Sequence, residues 1–149
     1  MQKLKKFIRH FFSINDTPHH IAGGAALGFF LGIIPGEGVL ATIVLTSLFR
    51  LNRVAGLAGV VATNMWTTAL VLPLAAATGG FIFGKSPEAL AAQFEQNYAL
   101  GWHYLIAKAL LLNVALPLMI GYIVIAGVLS GFFYGTLFFL LVRRKIAIR

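Results

Sequence analysis

Residues 21–49 read IAGGAALGFFLGIIPGEGVLATIVLTSLF and decide how this chain folds. They are apolar, with Gly, Ser and Thr, except for one carboxylate in the interruption Pro35-Gly36-Glu37-Gly38. As one straight helix the run would measure about 43 Å, although a hydrocarbon core is only about 30 Å thick. Proline would also break that helix near its middle. The run is predicted either as one kinked, tilted crossing or as a hairpin that enters and leaves on the same side.

The composition is that of an integral membrane protein. Hydrophobic residues make up 59% of the 149 residues and charged residues 11%, and the mean hydropathy is +0.88. These values lie far outside the range of ordinary soluble domains, so residues 1–149 are predicted to form a single membrane domain. The chain has no cysteine, which excludes disulfides, thiolate nucleophiles and cysteine-ligated metals.

The basic residues lie at the edges of the apolar runs. Lys and Arg number 12 against four Asp and Glu, which gives a formal net charge of +8. The clusters are Lys3, Lys5, Lys6 and Arg9, then Arg50 and Arg53, and finally Arg143, Arg144, Lys145 and Arg149. Such juxtamembrane clusters orient a protein and contact anionic lipid headgroups, so we expect membrane lipids and not nucleic acid as partners.

The positive-inside rule favours the hairpin over the single crossing. A hairpin keeps both the basic N-terminus and the 50–53 loop in the cytoplasm. Residues 54–83 then cross outward and complete a first helical half over 18–83, and 84–103 form an external loop and helix opened by Ser86-Pro87-Glu88. The second half, 104–142, returns through another hairpin around Pro117 and a crossing from about Tyr122, so that the basic tail 143–149 is cytoplasmic.

The fold class that follows is all-α and polytopic, with two or more transmembrane helices and re-entrant hairpins broken by Pro and Gly. Residues 1–15 are predicted as an interfacial amphipathic helix, because apolar residues recur at helical spacing opposite the basic ones. A solvated basic tail is the alternative. Asp16-Thr17-Pro18 supplies a cap and a first-turn proline, so a new helix should begin near Pro18.

Two glycine pairs have the spacing that lets helix backbones approach closely, Gly28 with Gly32 and Gly131 with Gly135. We therefore predict that both pairs are helix-packing positions. A chain this short has few helices to enclose a pathway, so a homo-oligomer is expected, with these glycines as candidate contacts.

Glu37 is the one acid within any apolar run, and a charge at membrane depth costs about 2.5 to 3.5 kcal/mol unless water or a partner reaches it. With Pro35, Gly36 and Gly38 it forms a candidate ligand site, where broken helix ends offer N–H and C=O groups. Glu37 could also pair with His20, Arg50 or Arg53. The alternative is a solvated turn at the membrane surface.

Asn52 and Asn64 are further candidates for a polar pocket. Asn52 with Arg50 and Arg53 could bind phosphate, although helix capping and charge-directed orientation account for them equally well. His19 and His20 point about 100° apart on a helix, so no metal site is expected. No catalytic triad, phosphate loop or carboxylate pair is present in the sequence, so we expect neither an enzyme nor a cofactor.

The first half also carries an ordered set of motifs. These are Thr17-Pro18-His19-His20-Ile21-Ala22, Gly28, Gly32, Pro35-x-x-Gly38, Arg50-x-Asn52, and Asn64 with Thr67. Over about residues 11–84 the chain resembles the domain-of-unknown-function family number two thousand and sixty-two. It departs from that pattern at Met65, where proline is usual, and near Leu40, where a polar residue is frequent.

That resemblance implies a bacterial inner (cytoplasmic) membrane protein of undefined activity, with relatives sometimes joined to glycosyltransferase-like domains. A role near polyprenyl or other lipid-linked glycans would follow, with a glycosyltransferase or cell-envelope enzyme as partner. The sequence therefore supports a small transporter or a protein that handles lipid or polyprenyl phosphate, with its polar site at the Pro35–Gly38 break. The alternative is a non-catalytic scaffold that docks such an enzyme.

Overall fold

The computed structural model describes residues 16–36, 38–63, 65–99 and 111–147, and the regular structure in these ranges is helical, as predicted. The α-helices are α1 (Pro18–Ile33), α2 (Gly38–Leu48), α3 (Arg53–Ala62), α4 (Met65–Phe83), α5 (Pro87–Ala99) and α6 (Leu116–Ala147). A π-helical turn, Leu111–Ala115, precedes α6. The interfacial helix predicted over residues 1–15 lies outside the described residues.

Helix α1 begins where the sequence predicts. Thr17 is its N-cap and its hydroxyl accepts a hydrogen bond from the His20 N–H at 3.3 Å. Pro18 occupies the first turn, where its missing N–H leaves no helical bond unmade.

Helices α1 and α2 form an antiparallel hairpin. After the turn at residues 34–36, α2 runs back, and Asn52 beyond its end donates its N–H to the His20 carbonyl at 3.1 Å. The Asn52 amide also donates to Asp16 Oδ2 at 2.8 Å. Both ends of the 21–49 run therefore lie side by side.

Helix α3 then runs parallel to α1 with its backbone almost touching it. A Cβ added to Gly28 would overlap the Gly56 carbonyl, and one added to Gly59 would overlap the Ala25 carbonyl. Gly32 is equally close to the Thr63 hydroxyl. Gly28 and Gly32, predicted as packing positions, thus lie in the contact between α1 and α3.

Helix α6 connects the two halves of the chain. Beside Gly79 and Gly121 its first turns pack antiparallel to α4, where added Cβ atoms would overlap the carbonyls of Pro117 and Ala75. Further along, Phe133 stacks on Phe29 of α1 with ring centroids 4.7 Å apart. Because α6 has 32 residues and measures about 48 Å, α4 and α1 lie end to end along it.

The turn predicted at Pro117 is not observed, because α6 continues without interruption from Leu116 to Ala147. Pro117 lies in the first turn of this helix, where proline is tolerated and does not reverse the chain. The start of the predicted second hairpin, residues 104–110, lies outside the described residues.

Helix α5 begins at the predicted Ser86 cap, whose hydroxyl accepts from the Ala89 N–H at 3.1 Å. Its Leu90 is 2% exposed and packs with Ala76, Val114 and Leu118. The helix is therefore held against α4 and the start of α6.

Two helical segments of the described part, Trp66–Phe83 and Asn113–Arg144, are long and apolar enough to cross a membrane by length and composition. Only 33% and 39% of their most apolar windows are buried within the chain. Large apolar side chains on these segments remain exposed, among them Leu70 at 78%, Phe81 at 89% and Phe132 at 74%. The core of a soluble protein would bury most of this surface.

Candidate functional site

Two helix interruptions meet in the middle of the molecule. Gly32, in the last turn of α1, lies against Thr63 at the end of α3, and Gly38, which opens α2, lies against Val60. The Thr68 hydroxyl, in the first turns of α4, reaches the Ile33 carbonyl. The ends of α1 and α3 and the beginnings of α2 and α4 are therefore neighbours, and we call this region the helix-end junction.

Side-chain hydroxyls bind the carbonyls at the helix-end junction. Thr63 Oγ1 donates to the Gly59 carbonyl at 3.0 Å and to the Phe29 carbonyl at 3.3 Å. Thr68 Oγ1 donates to the Ile33 carbonyl at 3.0 Å. Tyr122 Oη, from α6, donates to the Thr68 carbonyl at 2.9 Å. Ile33 is the last residue of α1, so its carbonyl has no partner within the helix. An unpaired carbonyl is costly in apolar surroundings, so the bond from Thr68 stabilises the end of α1.

Sequence reasoning missed Thr63, Thr68 and Tyr122. The available signal was Thr63 directly before Asn64, and Thr67-Thr68 three and four residues after it, in a run that is otherwise almost wholly apolar. Tyr122 gave no comparable signal, because a single tyrosine in an apolar helix fits packing as well as hydrogen bonding.

The predicted ligand residues Pro35, Gly36 and Gly38 belong to the helix-end junction. Gly36 has φ 149°, a backbone conformation in which residues with a side chain are strained. Nothing lies within 4 Å of where a Cβ would be at this position. Glu37 and Asn64 lie outside the described residues. Their neighbours in sequence, Gly36 and Thr63, lie at the interruptions between α1 and α2 and between α3 and α4.

A second group of predicted ligand residues lies at the opposite end of the hairpin, which we call the hairpin base. Asp16 Oδ2 accepts from the Asn52 amide at 2.8 Å, and Asp16 Oδ1 lies 3.2 Å from His20 Nδ1. Asn52 Oδ1 accepts from the Ala55 N–H at 2.8 Å and so caps α3. Asn52 is 7% exposed. Its side chain caps α3, as one of the two interpretations predicts, and its bond to Asp16 holds the start of α1 in place.

Arg50 and Arg53 are exposed at the hairpin base. Arg50 has φ 55°, while its N–H donates to the Ser47 carbonyl and the Leu51 N–H donates to the Thr46 carbonyl at 2.8 Å. This helix ending normally has glycine at the left-handed position. A side chain there costs about 1 to 2 kcal/mol.

The seven predicted ligand residues that the structure describes thus do not form one site. The 16 residues of α1 place about 24 Å between the helix-end junction and the hairpin base. Gly36 and Gly38, which flank Glu37, are therefore at the far end of the hairpin from His20, Arg50 and Arg53.

A further polar contact joins the loop after α4 to the start of α6. Lys85 Nζ donates to the Asn113 carbonyl at 2.5 Å and to Asn113 Oδ1 at 3.0 Å. Pro117 has no N–H to offer the Asn113 carbonyl four residues earlier, so the lysine takes its place. Asn113 therefore belongs to the hydrogen bonding of an irregular helix start. The sequence did not indicate that Lys85 takes part in it.

Comparison with known proteins gives one family. A family model described as "Uncharacterized protein conserved in bacteria (DUF2062)" matches residues 1–149. No curated protein and no solved structure matches the chain significantly.

Proposed function

We propose that this chain, which belongs to the DUF2062 family of uncharacterised proteins conserved in bacteria, is a small inner-membrane transporter or lipid-handling protein. The helix-end junction is its cargo site, and α1 with α2 is a re-entrant hairpin. Residues 53–83 cross the membrane, α5 lies outside, and α6 crosses back. No catalytic step is part of the proposal.

The distribution of apolar surface supports the membrane placement. Exposed apolar side chains extend from Leu48 and Phe49 near the hairpin base to Phe81 and Ile82 at the other end of the molecule. Water would oppose so much exposed apolar surface, whereas lipid would not.

The distribution of charge supports the orientation. Leu141, close to Arg143 and Arg144, packs against the Ile21 cluster near the start of α1. Both ends of the described chain and the 50–53 loop therefore lie at one end of the molecule. By the positive-inside rule this end is cytoplasmic.

The observation that carries the proposal is the meeting of four helix ends at the helix-end junction. Each α-helix leaves unpaired N–H groups at its start and unpaired C=O groups at its end. Since Thr68 already binds the Ile33 carbonyl at the end of α1, the N–H groups at the starts of α2 and α4 are the groups offered to a ligand. Broken helices that meet within a membrane protein use these groups to hold ions and charged substrates. Gly36 is exposed and nothing lies within 4 Å of where its Cβ would be, so a ligand can approach the backbone there.

Native mass spectrometry tests this assignment. We expect the purified protein to retain a small ion or lipid, and Glu37→Gln to lose it while unfolding at an unchanged temperature. Glu95→Gln, on the exposed surface of α5, is the matched control and should retain the ligand. Retention of the same ligand by Glu37→Gln would contradict a cargo site at the junction.

A scaffold remains the second candidate, because α6 has an open glycine face. Added Cβ atoms at Gly127, Gly131 and Gly135 would have no described atom within 4 Å, unlike those on α1. Such a face accepts another helix, from a second copy or from a partner such as a glycosyltransferase. A dimer mass in the same native spectrum would support the homo-oligomer.

A further inference from the structure

Arg50 occupies a backbone position that glycine would fill with less strain. Its φ of 55° and the pair of bonds from Arg50 N–H and Leu51 N–H define the glycine-preferring end of α2. The chain uses glycine 16 times, including in the left-handed conformation at Gly84. An arginine retained at such a position points to a role for its guanidinium.

Arg53 is also placed where its charge is unfavourable. It is the first residue of α3, and the positive end of a helix dipole opposes a cation there. Among the described residues the one ion pair is between His20 and Asp16. Asp16 also accepts from Asn52, so this carboxylate is already occupied and neither guanidinium is neutralised by the described part of the chain.

The surface beside these two cations is apolar. Leu48 is 70% exposed, Phe49 60% and Val54 41%. Leu48 and Phe49 directly precede Arg50, and Val54 directly follows Arg53. A ligand that satisfies this surface carries an anionic group for the guanidiniums and a hydrocarbon chain for the flanking side chains.

We propose that Arg50 and Arg53 bind the phosphate of a membrane lipid at the hairpin base. Guanidinium groups bind phosphate with two parallel hydrogen bonds, which a lysine would not provide. The bound phosphate supplies the negative charge that the dipole of α3 favours. This inference rests on the membrane placement proposed above, but not on the cargo site at the helix-end junction.

Arg50→Gly separates binding from folding. Glycine suits the left-handed position, so this variant should unfold at the same or a higher temperature than the wild type. Its affinity for phosphatidic acid in detergent micelles, measured by titration in native mass spectrometry, should fall at least tenfold. Arg53→Gln should show a similar loss of affinity.

Arg143→Gln is the control for charge alone, because Arg143 belongs to another basic cluster expected to contact headgroups but lies outside the proposed site, over Phe139 at the end of α6. Its affinity for phosphatidic acid should stay within twofold of the wild type. Phosphatidylcholine and inorganic phosphate should both bind the wild type at least tenfold more weakly than phosphatidic acid does.

Unchanged affinity in Arg50→Gly would overturn the proposal, as would an equal loss in Arg143→Gln. Inorganic phosphate that binds as tightly as phosphatidic acid would also overturn it, because the lipid chain would then contribute nothing. The cargo site is tested separately by Glu37→Gln. A ligand lost in Glu37→Gln but phosphatidic acid still bound by Arg50→Gly would contradict this inference alone.

Discussion

Single hydroxyl groups hold the helix-end junction together. Tyr122 is 1% exposed and bonds to the Thr68 carbonyl, and Thr68 in turn bonds to the Ile33 carbonyl. These bonds link α6, α4 and α1 at the point where the backbone is least regular. The interruption in this region was predictable from Pro35 and its glycines, but the hydroxyls that stabilise it depend on contacts more than 30 residues apart in sequence.

Tyr122→Phe should lower the stability of the protein by about 0.5 to 1.5 kcal/mol, because it removes the hydrogen bond to the Thr68 carbonyl while keeping the aromatic ring. Thermal unfolding in detergent measures the change. Tyr134→Phe is the control, since it removes a hydrogen bond to His19 at a more exposed site. Equal losses in the two variants would contradict a special role for the junction.

At the scale of helices, glycine spacing has two different outcomes in this chain. Gly24, Gly28 and Gly32 place the backbone of α1 directly against α3. The same four-residue spacing in α6, at Gly127, Gly131 and Gly135, meets no described neighbour. Spacing identified the pairs Gly28/Gly32 and Gly131/Gly135 in the sequence, but it could not say which pair packs within the chain, because that depends on which helices are neighbours.

Gly28→Ala should destabilise the protein by about 1 to 3 kcal/mol or more, because the added methyl group overlaps the Gly56 carbonyl. Gly127→Ala is the matched control at an open position of α6. It should stabilise the chain by up to about 1 kcal/mol, through the better helix propensity of alanine. Denaturant titrations in detergent measure the free energy of unfolding of both variants. An unchanged free energy of unfolding in Gly28→Ala would show that α1 and α3 are not in backbone contact at Gly28.

At the scale of the whole molecule, composition predicted the helical class, and the cap at Thr17 with Pro18 predicted the start of α1. Both signals are local, whereas the membrane side of residues 50–53 depends on length and charge and stays a prediction. The sequence does not predict the continuous α6, because Pro117 in an apolar run indicates a turn as readily as a helix start. Its position in a first turn depends on the π-helical segment before it, which composition does not reveal.

The topology is open to a labelling experiment, since the chain contains no cysteine. Arg50→Cys, at the hairpin base, should react with a membrane-impermeant maleimide only from the cytoplasmic side. Ser86→Cys, in the exposed loop before α5, should react only from the outside. Labelling of Arg50→Cys from the outside would contradict the re-entrant hairpin and favour a single kinked crossing.

The arrangement of α1 and α4 along α6 has a mechanical consequence. The two helices touch where Thr68 meets Ile33, and each is packed along a different length of α6. If α4 moved relative to α1 along α6, the hydrogen bonds of Thr68 and Tyr122 would be strained. The glycine contacts between α1 and α3 would stay intact. The hydrogen bonds that resist such a movement therefore lie beside the helix ends that face the proposed cargo.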